Sequence, residues 1–234
     1  MENIKLFWDD FEIKARILPT IALASPIILF AIMKGMISAN TLDVAIYGII
    51  SIVVITLLSK VVRNYGKKYE MKMYNKLGAM PTTIVLRYSD HRINELSKTR
   101  YHKKINDAIP GLNLPINSDG ESRESDREYI DAMMYLRNYA NANRDTEHMV
   151  YHALKEYNYW RNIYGGKYLA VMVYCITILI DIVIAFLQGG SIDFVSNSVL
   201  VMSGIIICLS IRSITVQKRA FDYAVALAEV CERV

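Results

Sequence analysis

Apolar residues in this chain are gathered into runs. Four nearly unbroken stretches carry them: Ile17–Met33, Val44–Leu58, Tyr168–Gln188 and Ser198–Ile211. A helix of a water-soluble domain repeats its apolar positions every three or four residues and keeps the other face polar, whereas these runs are apolar on every face, as membrane spans are. The third is the longest. The second and fourth are short, but apolar or small neighbours extend each to the roughly 20 residues that cross a ~30 Å hydrocarbon core. The pattern predicts four transmembrane helices in two hairpins. A cleaved signal peptide is the alternative for the first run. Against it, Asp9, Asp10 and Glu12 precede the run, only Ser38-Ala39 approaches a small-x-small site, and the second run follows almost at once.

Between the two hairpins the pattern changes to that of amphipathic helices. The second span is expected to continue as one helix through Lys60, Arg63, Lys67, Lys68, Lys72 and Lys76, stopping near Gly78 and Pro81. In the next segment, MPTTIVLRYSD, Thr82 or Thr83 is expected to cap a new turn. Asp90 then caps a helix from His91 to about Ile109, with Ile93, Leu96, Tyr101, Ile105 and Ile109 on one face and Arg92, Arg100, Lys103 and Lys104 opposite. Pro110-Gly111 ends it, and the stretch to Ser125 reads as a mobile loop. Helices are expected from about Asp126 to Ala142, and from Asp145 or Thr146 to Tyr164, where Gly165-Gly166 separates the helix from the third span. The tail from Ser213 to Arg233 carries a stripe, Phe221, Ala224, Val225, Ala228 and Cys231, that packs either on the central domain or on another copy of the chain. The expected fold is all-α: an N-terminal segment and first hairpin (1–60), a cytosolic helical domain (61–167), a second hairpin (168–212) and a cytosolic C-terminal helix (213–234).

Charge orients this layout. The chain has 234 residues, 53% of them hydrophobic, with 27 Lys and Arg. The short connections Lys34–Asp43 and Gly189–Asn197 hold only one of these, Lys34. The positive-inside rule then puts both termini and the central domain in the cytoplasm. Within the centre, Val61–Lys104 has eleven Lys/Arg against three Asp/Glu, whereas Ile105–Trp160 has five against ten. Cys175, Cys208 and Cys231 have no metal-site spacing and read as small apolar fillers.

Three constellations carry candidate chemistry. In the basic half, Arg63 to Lys76 suits contact with anionic headgroups. Arg87, Arg92 and the run Arg100-Tyr101-His102-Lys103-Lys104, joined by Arg161, form a candidate anion-binding surface, since cations beside a ring are the combination that holds single-stranded nucleic acid or nucleotides. Asp181 is the one ionisable residue well inside a span. A charge there costs about 2.5–3.5 kcal/mol on insertion scales. It lines a pore or binds a cation, or it is buried against a neighbouring span, or it sits near the outer interface. His148 and His152 stand one helical turn apart beside Glu147, but the order is not that of a zinc protease and no third ligand is evident, so no metal or other cofactor is expected. No phosphate loop, nucleophile signature or carboxylate pair points to an enzyme.

The segment MPTTIVLR (Met80–Arg87), Thr99-Arg100-Tyr101-His102, Tyr135-Leu136-Arg137, Arg144-Asp145 and Asn158-Tyr159-Trp160-Arg161-Asn162 with Gly165 together resemble a family of bacterial multispan membrane proteins. The likeness covers about Lys76 to Lys167 and the four-span layout. Within that group the chain is similar to the Hailong-type effectors of antiphage defence. That resemblance implies a homotetrameric channel held closed by a single-stranded DNA oligomer, which a nucleotidyltransferase encoded alongside would make. The other function in view is a non-channel membrane scaffold that recruits a soluble partner through its helical domain.

Overall fold

The computed structural model describes residues 9–34, 41–121 and 125–234, with the side chains of 41–51 also outside the description. Among the described residues every regular element is helical. In chain order these are α1 (Asp10–Met33), α2 (Thr41–Leu77), α3 (Pro81–Leu86), α4 (Glu95–Ala108), α5 (Ser125–Ala142), α6 (His148–Leu187), α7 (Phe194–Ser210) and α8 (Ser213–Ala228). Short 3₁₀ turns cover Ser118–Gly120 and Glu229–Glu232. The chain forms two compact units: unit 1, residues 1–70 and 158–215, and unit 2, residues 71–157 and 216–234.

Among the described residues, two helices are long and apolar enough to cross a membrane, α1 and α6. A third span is present if α7 and the following helix, bent by 49° at Ile211–Arg212, count as one. The expected second span, Val44–Leu58, begins in α2, and more than half of it falls among the undescribed side chains. Most of the connection Lys34–Asp43, with Ser38-Ala39, also lies outside the description.

Unit 1 brings α1, the first part of α2, most of α6 and α7 together around Leu23, Phe30, Val62, Ile163, Ala170, Tyr174, Leu200 and Ile211. The expected break at Gly165-Gly166 does not occur: α6 runs through both glycines for 40 residues. Glycine costs a helix about 1 kcal/mol relative to alanine, so a compensating contact is required, and packing supplies it. A Cβ on Gly165 would lie 2.3 Å from the Gly66 nitrogen, and one on Gly66 would lie 3.0 Å from the Asn162 Cα. The two backbones touch here because neither has a side chain. In α1, Pro26 cannot donate to the Ala22 carbonyl, and the Ser25 hydroxyl donates to it instead at 3.0 Å.

Unit 2 is built like a water-soluble helical domain. Leu86, Ile105, Tyr129, Leu136, Leu227 and Val230 are among its fully buried side chains. Each aliphatic side chain so buried contributes about 1.5–3 kcal/mol. As expected, α2 ends where Gly78 takes φ of +81°. Three local expectations are corrected. Thr82 and Thr83 do not cap: Pro81 takes the first helical position after Met80, where its missing N–H is no loss, and both threonines are buried within α3. The helix placed from His91 starts four residues later, because Asn94 accepts from the Leu96 N–H, while Asp90 accepts from the Arg92 N–H in a local turn. Leu96 points outward, 82% exposed, whereas Lys98 and His102 are buried with Tyr101 and Ile105. The 111–121 stretch is also pinned: the Asn106 amide exchanges two hydrogen bonds with the Leu114 backbone, at 2.7 and 3.0 Å.

The tail question is answered within the chain. Phe221, Ala224, Ala228 and Cys231 are buried together with Val216, Ala220 and Leu227, and the Glu229–Glu232 turn packs against α4 and α5. Arg233 completes the closure with a two-pronged pair to Glu147, both distances 2.6 Å.

Candidate functional site

Around its apolar core, unit 1 buries several polar side chains and leaves many apolar ones outside. On α6, Met172, Ile176, Leu179, Ile180, Val183 and Phe186 are exposed, and only 11% of its most apolar window is buried. The internal polar groups form two clusters. In the first, the Arg161 guanidinium, buried in α6, pairs with Glu70 at 3.0 Å, and the Asn162 amide donates to the Ala15 carbonyl at 2.7 Å. Nearby in sequence, Lys167 is buried and donates to the Ile211 carbonyl at 2.9 Å, which satisfies a group left open at the end of α7.

The second cluster is the candidate site. The Lys34 ammonium, at the end of α1, lies 2.8 Å from Asp181 of α6 and 3.3 Å from Asp193. Asn197 of α7 donates to the other Asp181 oxygen at 2.8 Å. Asp193 caps α7 through the Ser196 N–H at 3.1 Å and the Ser196 hydroxyl at 2.7 Å. These two hydrogen bonds, joined by the Lys34 charge, hold the Asp193 carboxyl down at about 2.

The spacing of the two clusters is informative. Ala15 and Lys34 on α1, and Asn162 and Asp181 on α6, are each nineteen residues apart. At 1.5 Å per residue that is about 28 Å along both helices, close to the ~30 Å hydrocarbon thickness. The Asp181 side chain is 13% exposed and ion-paired. The geometry gives Asp181 partners on neighbouring helices, Lys34 of α1 and Asn197 of α7.

No family profile, curated protein or solved structure matches the chain. What it does is therefore argued from its own residues.

The candidate anion-binding residues fall in both units. Arg161 belongs to unit 1, and the other candidates belong to unit 2. Arg87 makes a two-pronged pair with Asp126 at 2.9 and 2.6 Å. Arg92 pairs with Asp90 and lies 3.5 Å over the Phe221 ring. Arg100 pairs with Glu232 at 2.7 Å, and Lys104 donates to the Glu232 carbonyl at 2.8 Å. Tyr101 is 6% exposed and offers no open face for a base. His102 is fully buried between Tyr88 and Tyr129, with Nδ1 2.6 Å from the Pro115 carbonyl. Burial pushes its pKa below the usual 6.5. Lys103 is exposed, with no ion-pair partner among the described residues. His148 and His152 are exposed on α6, and among the described residues no three metal-ligating side chains converge.

Sequence reasoning passed over Lys98, Asp193 and Asn197. Lys98 is 1% exposed and donates to the Arg87 and Asp90 carbonyls, tying the turn after α3. Burial lowers its pKa. No periodicity signal distinguishes it from its exposed neighbours. Lys34 and Asp181 did carry a signal. One is the lone cation of the two short connections, the other the lone acid within a span, and helix lengths bring them to the same level.

Proposed function

We propose that this chain is the subunit of a homo-oligomeric ion channel in the bacterial inner membrane, with unit 2 in the cytoplasm as its sensor. In this reading the start of α2 is the second of four spans, α7 is the fourth, and both termini are cytoplasmic. The observation that carries the proposal is the uncovered apolar face of α6 and α7, ending at a charged cluster. A face of that kind needs lipid or another subunit against it, and the cluster supplies charge where a conduction path would open. Four subunits, a gating ligand that is a single-stranded DNA oligomer or a nucleotide, and a partner nucleotidyltransferase follow from the family resemblance. Among the candidate ligand contacts, Lys103 and the partly exposed Arg100 and Lys104 remain on the surface for the ligand.

The scaffold reading also has support. Arg87, Arg92, Arg100 and Lys104 are engaged inside unit 2, which leaves fewer cations for a polyanion. Potassium flux through liposomes holding the purified protein, with and without short single-stranded DNA or RNA, separates the two readings. The channel reading expects flux that the oligonucleotide changes. It also expects binding to weaken with salt by about 0.7 log units per log unit for each phosphate contact, and Arg100→Glu plus Lys103→Glu to weaken it further. Liposomes that hold their potassium gradient in every condition would leave the scaffold.

A further inference from the structure

Helices α1, α2 and α6 meet within unit 1 at one small junction. The Asn162 amide donates to the Ala15 carbonyl at 2.7 Å, and a Cβ on Gly66 would stand 2.5 Å from the Asn162 side-chain oxygen and 3.1 Å from the Arg161 carbonyl. Each helix brings an arginine to this junction. Arg16 follows Ala15, Arg161 precedes Asn162, and Arg63 lies three residues before Gly66, on the same face of α2. The turn of α1 that carries Arg16 is itself unusual: Ile13–Ile17 is wound as a π-helix, a rare winding that recurs at functional sites.

Two of the three guanidinium groups have an acid. Arg16 pairs with Glu12, and Arg161 pairs with Glu70 at 3.0 Å. Arg63 is half-buried and has no hydrogen-bond or ion-pair partner among the described residues. Burial lowers its pKa, the charges of Arg16 and Arg161 lower it further, and Glu12 opposes them. Three guanidinium groups against two carboxylates leave one positive charge without a counter-ion. A partly desolvated cation repelled by two others is costly, and an anion between them removes the cost. A guanidinium presents its N–H groups as a flat fork that matches phosphate oxygens, so phosphate is the anion that suits this cluster.

We propose that Arg63 and Arg16 bind a phosphate group at this junction, with Arg161, held by Glu70 and Asn162, as a fixed charge beside them. The phosphate is that of an anionic phospholipid headgroup or a free phosphate ion, and the test has an arm for each. The site needs neither the channel nor the scaffold reading. Its lipid source rests on unit 1 standing in a bilayer with this junction at the cytosolic edge.

The test is thermal unfolding of the full chain in detergent at constant ionic strength. One arm exchanges chloride for inorganic phosphate, and the other adds phosphatidylglycerol against phosphatidylcholine. Wild type should gain several degrees in at least one arm. Arg63→Gln should bind about tenfold more weakly or worse and so lose most of the gain. Arg63→Lys should recover part of it. Lys72→Gln, which removes an exposed charge of α2 outside the junction, should respond as wild type does. A gain with phosphatidylglycerol alone assigns the phosphate to a lipid, and a gain with inorganic phosphate assigns it to a free ion. No gain in either arm, or an equal gain in wild type and Arg63→Gln, overturns the proposal. Should Arg63→Gln fail to fold, Arg16→Gln reads the same weakening, and an undiminished gain there overturns the proposal as well.

Discussion

Unit 2 covers much of its apolar surface and turns many of its charges outward, whereas unit 1, around an apolar core, leaves an apolar face of α6 and α7 uncovered and buries Arg161 and Lys167. In unit 2, Tyr129 and Leu136 are completely covered while Lys103 and Arg127 face out. In unit 1, Leu179 and Phe186 are 61% and 85% exposed while Arg161 and Lys167 are each 6% exposed. The same chemistry drives both. A buried charge must be paired or hydrogen-bonded, and an apolar side chain has to avoid water. The solvent expected outside each unit differs, and the side of the wall on which each residue type stands differs with it. The lesson is that the polar interior of unit 1 is a condition for its apolar exterior, since every charge drawn inside must find its partner there.

Four substitutions or conditions probe this comparison. The largest effect is expected at the α2–α6 contact. Gly165→Leu places side-chain atoms in the Gly66 backbone, which cannot yield as a flexible side chain would. Folded protein should be lost in detergent extracts, and gel filtration reads this directly. Next, Tyr101→Ala should cost about 3–5 kcal/mol of stability if its ring is the packing element its burial describes. A drop in oligonucleotide affinity at unchanged thermal midpoint would instead restore it as a stacking platform.

Arg161→Met removes the buried ion pair with Glu70 and should cost about 3 kcal/mol. Thermal unfolding in detergent would show the loss even with no ligand present. A ligand-contact role would show the opposite, a normal midpoint and weakened binding. The pH dependence is smaller. His102 is held neutral by burial, with its folded pKa below 6.5. Its stabilisation is complete above that value and declines as pH falls towards the folded pKa, because only the unfolded chain takes up the proton. The loss reaches at most about 1.4 kcal/mol per pH unit. Thermal midpoints from pH 7.5 to 5.5 should fall more steeply in wild type than in His102→Gln.

Much of the helix layout was legible because long apolar runs and caps announce themselves. The end of α2 at Gly78, the span of α5 and the buried stripe of the tail all follow from local signals. What was not legible depended on partners distant in the chain. Gly165-Gly166 reads as a break until Gly66 is beside it. Asp90 and Asn94 are equally good caps in a sequence, and only the fold decides between them. The partners that engage Arg100, Arg87 and Arg92, namely Glu232, Asp126 and Phe221, come from other elements and could not be read beside them in the sequence.

The most direct measurement compares thiol reactivity of the two units in lipid nanodiscs, where both faces of the bilayer are open to solvent. Cys175 and Cys208 of unit 1 are exposed on the protein surface, and Met134 of unit 2 is 54% exposed. A charged, water-soluble maleimide should label Met134→Cys rapidly and leave Cys175 and Cys208 unmodified until the chain is denatured. Labelling of Cys175 and Cys208 in intact nanodiscs at the rate of Met134→Cys would mean that water, and not lipid, covers the apolar face of unit 1.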